Sequence, residues 1–369
     1  MNITVNRKEF LNALSIGGAM AGKNNTLPIL NTAKIELIDE LIIISSLDLE
    51  CAITSRMLAI SNDEDGAFCV SAGDLTKAIK SLNSENITMN VKGGMISIKH
   101  SSGVMEMPTL DASAFPSLSN GHEDDKNIVS FPSGFLKEWL LVSRNFVSTD
   151  EFRIVMNGLY MNITPSSIEV CATDAHKLYT DKRDITLNER VNTEAVLSTR
   201  AFAPLLNILD TTDTIHMLVD DKNFTFSTPN TELKCRKVEG NYPNFRAVIP
   251  SHTKQVTIDK NEFLSAVNRV ALFSDKGTSL VKLNIFPDSI VLDGKDIDFN
   301  MASMEKVSAT ADNGHTTSIG AKSAFLALCI RSISSDNITM LYGNECQPML
   351  FTDDLCPNKK LVLMPMLIS

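Results

Sequence analysis

The seven cysteines of this 369-residue chain include no C-x-x-C pair. Positions 51, 69, 171, 235, 329, 346 and 356 are scattered and odd in number. That argues against a zinc site or a disulfide framework and fits a reducing cytoplasm. No apolar run approaches the roughly 18 residues needed to span a bilayer, so no membrane partner is expected. The segment Met1–Glu9 lacks the apolar stretch of a signal peptide, which also fits a cytoplasmic protein. Paired acids at Asp296-Ile297-Asp298 and Asp353-Asp354 have no histidine at metal-ligand spacing, so they read as solvated turns and no cofactor is expected. A near phosphate loop, Gly17-x-x-x-x-Gly22-Lys23, continues into Asn24, where the magnesium-binding hydroxyl should stand. It follows a helical pattern instead of a strand, and Pro28 comes too soon for a helix to present its amides to phosphate.

What is present is a unit written three times. Asp48, Asp174 and Asp296 each follow a strand pattern and sit in a turn. Ahead of them lie Phe10-Leu11, Phe135-Leu136 and Phe263-Leu264, each opening a helical pattern. Behind them lie a second helix carrying Leu75, Phe202 or Phe325 and a strand at Ile87-Thr88-Met89, Ile215-His216-Met217 or Ile338-Thr339-Met340. The landmarks recur at intervals of about 122 to 128 residues, so whole domains repeat. The reading is α+β: three tandem domains over 1–121, 128–250 and 255–369. Each runs strand, helix, several strands, helix, several strands. Asp174-x-His176 could be an acid–base pair of an enzyme, yet the sibling positions hold Glu50 and Asp298, and nothing supplies an oxyanion hole. The repeated Asp reads as a turn residue whose carboxylate accepts backbone amides.

Helices are predicted over 7–16, 71–82, 133–147, 198–210, 259–273 and 320–333. Asn6-x-x-Glu9 and Asp259-x-x-Glu262 have capping-box spacing, and Ser71-x-x-Asp74 is related. Pro204 inside the fourth segment means that helix starts late or is kinked. Leu30 to Met57 alternates as two strands around Asp39-Glu40, and Gly93-Gly94 marks a hairpin. The six segments hold eleven Lys/Arg against six Asp/Glu, although the whole chain carries −10. Basic helices in an acidic shell suit a polyanion held on one face. At the other extreme, Leu361–Ile368 is apolar almost to the last residue, and Pro365 cannot donate to a sheet, so the chain should leave its sheet there with Met364 and Met366 at the rim. Met105 and Met107 alternate with Glu106 on an expected edge strand, an apolar edge that invites a second chain.

The three copies, with Thr26-Leu27-Pro28-Ile29-Leu30, Asn157-Gly158, Ala172-Thr173-Asp174-Ala175-His176-Lys177-Leu178, Tyr242-Pro243-Asn244-Phe245 and Met364-Pro365-Met366, resemble the bacterial DNA polymerase III beta subunit, the β sliding clamp family, over the whole chain. The resemblance implies domains of two helices on a curved antiparallel sheet and a head-to-tail dimeric ring. It implies a non-catalytic processivity factor encircling duplex DNA without reading its sequence. Implied partners are the polymerase III alpha subunit, the clamp-loader delta subunit, and other polymerases and repair proteins bearing clamp-binding peptides. By motif position, the peptide-binding groove would consist of Met156, Thr173, His176, Lys177, Leu178, Pro243, Val248, Val362, Met364, Pro365 and Met366. DNA would meet Lys23, Asn24, Lys77, Lys80, Lys137, Arg144, Arg200 and Arg269. The dimer would join Met105 and Met107 to Leu272 and Phe273. Three positions depart from the family pattern: Lys177 and Asn24 stand where Arg is usual, and Ile154-Val155 where an aromatic pair is frequent. They leave a second reading, a diverged clamp that competes for clamp partners or serves a mobile element.

Overall fold

The computed structural model describes residues 1–22, 27–100, 103–116, 128–187, 191–312 and 316–368. Lys23, Asn24 and the polar linker 121–127 lie outside the described residues. Six α-helices occur among those described: α1 (Arg7–Gly17), α2 (Ala72–Ser81), α3 (Ser133–Ser143), α4 (Phe202–Leu209), α5 (Lys260–Ala271) and α6 (Ser323–Ser332). They fall two to a copy, in the predicted order among antiparallel strands.

The helix starts follow from their caps. Asn6 Oδ1 accepts the amides of Lys8 and Glu9, at 3.0 and 3.2 Å, and Asp259 Oδ1 accepts that of Glu262 at 2.8 Å. The Pro204 conflict resolves as a late start. Residues Thr199–Ala201 make a 3-10 turn and α4 begins at Phe202. Pro204 therefore lies in the first α-helical turn, where a missing amide leaves no α-helical bond unmade. The third helix is shorter than predicted: it ends at Ser143, which puts Arg144 in the turn beyond it. Leu30 to Met57 proves to hold three strands, Thr32–Ile38, Leu41–Leu47 and Cys51–Leu58, because Asp48 makes a second tight turn. The Gly93-Gly94 hairpin forms as expected, both residues at positive φ (61° and 75°).

The chain packs as two compact units, and the middle copy contributes to both. In the first unit, a nine-stranded antiparallel sheet passes from copy one into copy two where Cys51–Leu58 pairs with Thr231–Arg236. A five-stranded sheet in the same unit ends at Gly103–Pro108. Alternate residues of these strands, among them Ile3, Val5, Ile35, Ile42, Ile44, Ile87, Met89 and Ile98, meet Phe10 and Leu14 of α1 and Leu75 and Ile79 of α2 in one core. In the second unit, a twelve-stranded sheet passes from copy two into copy three where Lys177–Asp184 pairs with Cys356–Leu363. Helices α5 and α6 pack together on it, burying Phe263, Val267, Leu326 and Ile330.

Candidate peptide groove

All three repeated aspartates are turn residues. Asp48 Oδ1 accepts the amides of Glu50 and Cys51, Asp174 Oδ1 those of His176 and Lys177, and Asp296 Oδ1 that of Phe299. In the middle copy the turn also needs Ala175 at φ 74°, and Thr173 Oγ1 accepts the Ala175 amide while donating to the Lys177 carbonyl at 2.8 Å. The turn delivers strand Lys177–Asp184 to the last strand in a fixed register, with Leu178 opposite Val362 and Lys177 opposite Leu363.

That seam floors an apolar pocket of about 170 Å³. Its lining is Met156, Thr173, Ala175, Lys177, Leu178, Pro243, Asn244, Phe245, Val248, Val362 and Met364. Eight of the eleven groove residues expected from the sequence are thus brought together. His176, Pro365 and Met366 are not in the lining. The exposed His176 ring instead stacks on Phe325 of α6, with centroids 6.1 Å apart, and its carbonyl accepts the Met364 amide. The last strand ends at Leu363, before Pro365, and the chain does not leave the sheet but crosses to another of its strands, Thr317–Lys322: the Met366 amide reaches the Gly320 carbonyl at 2.8 Å, and a Cβ on Gly320 would collide with the Met366 carbonyl.

Ala175, Asn244 and Phe245 went unassigned from the sequence. Phe245 was detectable, since Tyr242-Pro243-Asn244-Phe245 is an apolar turn motif. In the structure Phe245 packs with Tyr160 and Tyr242, whose rings stack at 4.8 Å, and the Arg246 guanidinium covers its face at 4.7 Å. Burial, reinforced by Glu194, pushes the Tyr160 phenol up to about 12, and burial raises Tyr242 further. Both remain neutral donors near pH 7, and Tyr242 donates to the Cys171 carbonyl at 3.3 Å. Leu178, Val362, Tyr160, Phe245, Val196 and Leu350 make one buried cluster beneath the pocket, so its floor is preformed.

Lys177 does not serve as an open cationic handle. Its ammonium bonds Asp174 Oδ2 and lies over the rings of Phe325, at 4.9 Å, and Phe146, at 5.7 Å. The side chain is 7 % exposed. Asp174 accepts the His176 backbone amide, not its imidazole, so the two do not form the acid–base pair that an enzyme would use. The arrangement can seat apolar side chains, with neutral hydroxyl and amide groups at its edge.

The basic helices are less free than their sequence implies. Lys77 pairs with Asp74, Lys137 with Asp210 at 2.6 Å, and Arg200 with both Asp48 and Glu50 at 3.3 Å. Arg269 is held by both oxygens of Glu305, at 2.6 and 2.8 Å. Lys80 and Arg144 are exposed and have no ion pair among the described residues. As for edges, Gly103–Pro108 is an edge strand, but Met105 and Met107 turn inward onto the core and Val104 and Glu106 face out. Leu272 is 73 % exposed and Phe273 39 %. Nearby in sequence, Met301–Ser308 pairs on one side only among the described residues, and Met304 projects from it 70 % exposed.

Three family models match in tandem: the N-terminal domain of the DNA polymerase III beta subunit over residues 1–119, the central domain over 137–244 and the C-terminal domain over 246–367. The chain is 24% identical to the beta sliding clamp of Caulobacter vibrioides, covering 99% of this chain and 100% of that one, and 22% identical to that of Bacillus subtilis, covering 95% of each. The beta subunit structure from Thermotoga maritima superposes over 100% of both chains with a TM-score of 0.93 at 22% identity, and a Pseudomonas aeruginosa sliding clamp bound to griselimycin does so with 0.94 at 19%. Matched along nearly all of its length, the chain belongs to the DNA polymerase III beta subunit family, the bacterial β sliding clamps.

Proposed function

We propose that this chain is a DNA sliding clamp whose pocket at the Leu178–Val362 seam tethers partner proteins by short apolar peptides. The observation that carries the groove assignment is the preformed pocket itself, built where copies two and three share a sheet. A partner Leu or Phe buried there contributes about 1.5–3 kcal/mol before ordering costs, which gives exchangeable binding suited to partners that take turns. Two subunits close head to tail, the edge at Gly103–Pro108 of one meeting the Leu272, Phe273 and Met301–Ser308 region of the other. Unlike free edges on one chain support that mode, since it pairs two different surfaces. DNA is then held by topology and by phosphate contacts from helix cations, independent of sequence. The polymerase III alpha subunit and the clamp-loader delta subunit are the expected principal partners, the compartment is the cytoplasm, and no reaction is catalysed. The test is retention on DNA: the loaded protein should remain on a closed circle and leave when the circle is cut. Equal loss from both forms would overturn the proposal.

A further inference from the structure

One pair of thiols meets at the seam between copies one and two, 184 residues apart in sequence. Cys51 and Cys235 are directly opposed in the paired strands, and their sulfurs lie 3.0 Å apart. The register is that of a pair without mutual backbone bonds. The Cys51 amide goes to Asp48 Oδ1, and the flanking Arg236 amide reaches the Glu50 carbonyl. At such a position the Cα atoms of an antiparallel ladder are about 4.5 Å apart and the side chains closest, at the short end of the range a disulfide spans. We propose that Cys51 and Cys235 are an oxidisable pair that forms an intramolecular disulfide, locking the strand register between copies one and two. With hydrogen peroxide as the oxidant, one thiol takes up a peroxide oxygen as sulfenic acid and releases water. The second sulfur then displaces that oxygen as a second water, so two thiols and one peroxide give one disulfide and two waters. Both cysteines are buried, at 2 % and 0 % exposure. Contact with Cys235, burial and the carboxylates of Asp48 and Glu50 hold the Cys51 thiol well above its usual range, so its attack on peroxide is slow, and the product is set by the sulfur contact, which lets the neighbouring thiol capture a sulfenic acid as it forms.

The experiment treats the folded full-length protein with hydrogen peroxide, blocks remaining thiols with N-ethylmaleimide in denaturant and maps the peptides without reduction. The expected result is a Cys51–Cys235 linked peptide, two hydrogens lighter than its parts, that appears before oxidation of Cys69, Cys171 or Cys329 and vanishes with dithiothreitol. Those three are buried too, and none has a hydrogen bond to another sulfur among the described residues. Cys51→Ala should abolish the product. Recovery of Cys51 and Cys235 as maleimide adducts while the more accessible Cys346 and Cys356 are oxidised would overturn the proposal. So would a link that forms only after unfolding. The wild-type map alone decides the matter if the variant fails to fold.

Discussion

Asp174 holds Lys177 twice: one carboxylate oxygen accepts the Lys177 amide at 2.9 Å, and the other accepts its ammonium. The pair sits under the groove and fixes the turn that sends Leu178 to Val362. Asp174→Ala would strand a buried ammonium and release two amides, so it should cost about 3 kcal/mol or more. Lys177→Met should cost less, because the aspartate keeps its amide donors and the new side chain can lie between Phe146 and Phe325. Urea unfolding of both variants checks the order; equal losses would show that the turn does not depend on the carboxylate.

A second expectation concerns the C-terminal wall. Met364 lines the pocket, and the chain after it is tied down at Gly320. Met364→Ala should weaken a short peptide that carries Leu and Phe anchors by about 1–2 kcal/mol, roughly 5- to 30-fold. Gly320→Ala should weaken it as well, from a distance, by pushing the Met366 backbone off its strand. Calorimetry of both checks this, and unchanged affinity for Met364→Ala would remove that residue from the groove.

These two cases show what a sequence makes legible. The repeat, the cap residues Asn6 and Asp259 and the turn aspartates could be read directly, because each depends on residues within a few positions. Most groove residues came through family resemblance, since Leu178 and Val362 are far apart in the chain and only strand register joins them. Three features had no local signal at all. The partners that occupy Lys137 and Arg269 lie 73 and 36 residues away, and Cys235 reaches Cys51 across 184. The strand Cys51–Leu58 does not stand out although the Asp48 turn does: that turn contains neither glycine nor proline, so the alternation from Leu30 to Met57 reads as a single hairpin around Asp39-Glu40.

Acid should find a specific weak point in the second unit. Asp353 is buried, which alone would favour its neutral form. The Ser334 and Leu355 amides and the Lys359 ammonium outweigh that and hold its carboxyl below the usual range. A depressed folded value means that the stabilisation is complete above the unfolded value of about 4 and is lost as pH falls through the folded one. Asp353→Asn should therefore lower the melting temperature at pH 7, and the gap to wild type should narrow below about pH 4. A gap independent of pH would show that the carboxylate charge is not what matters.

In the proposed dimer, assembly depends on the exposed apolar side chains at 272 and 273. Leu272→Ala with Phe273→Ala removes one side chain that is largely in water and one that is 39 % exposed in the single chain, so folding should lose only part of the Phe273 packing while association weakens by about 2–4 kcal/mol. Sedimentation at micromolar concentration should show the double variant at half the wild-type mass. A dimer of undiminished stability would place the interface elsewhere.

The last expectation separates free from occupied cations. Lys80 and Arg144 have no acidic partner among the described residues, whereas Glu305 grips Arg269 with both oxygens. A guanidinium already bonded to a carboxylate must give up that bond before meeting a phosphate, so it contributes little counterion release. Lys80→Glu or Arg144→Glu should weaken retention on DNA to a similar degree for all sequences and flatten its salt dependence by about one unit of slope. Arg269→Ala alone should change little. Glu305→Gln should do the reverse of the charge reversals: it frees Arg269, tightens retention at low salt and steepens the slope by about one. Binding measured against salt on two unrelated duplexes checks all four variants. If Glu305→Gln left the slope unchanged while Arg269→Ala reduced it, Arg269 would be a DNA contact in spite of its ion pair, and the pairing seen here would not govern which cations meet DNA.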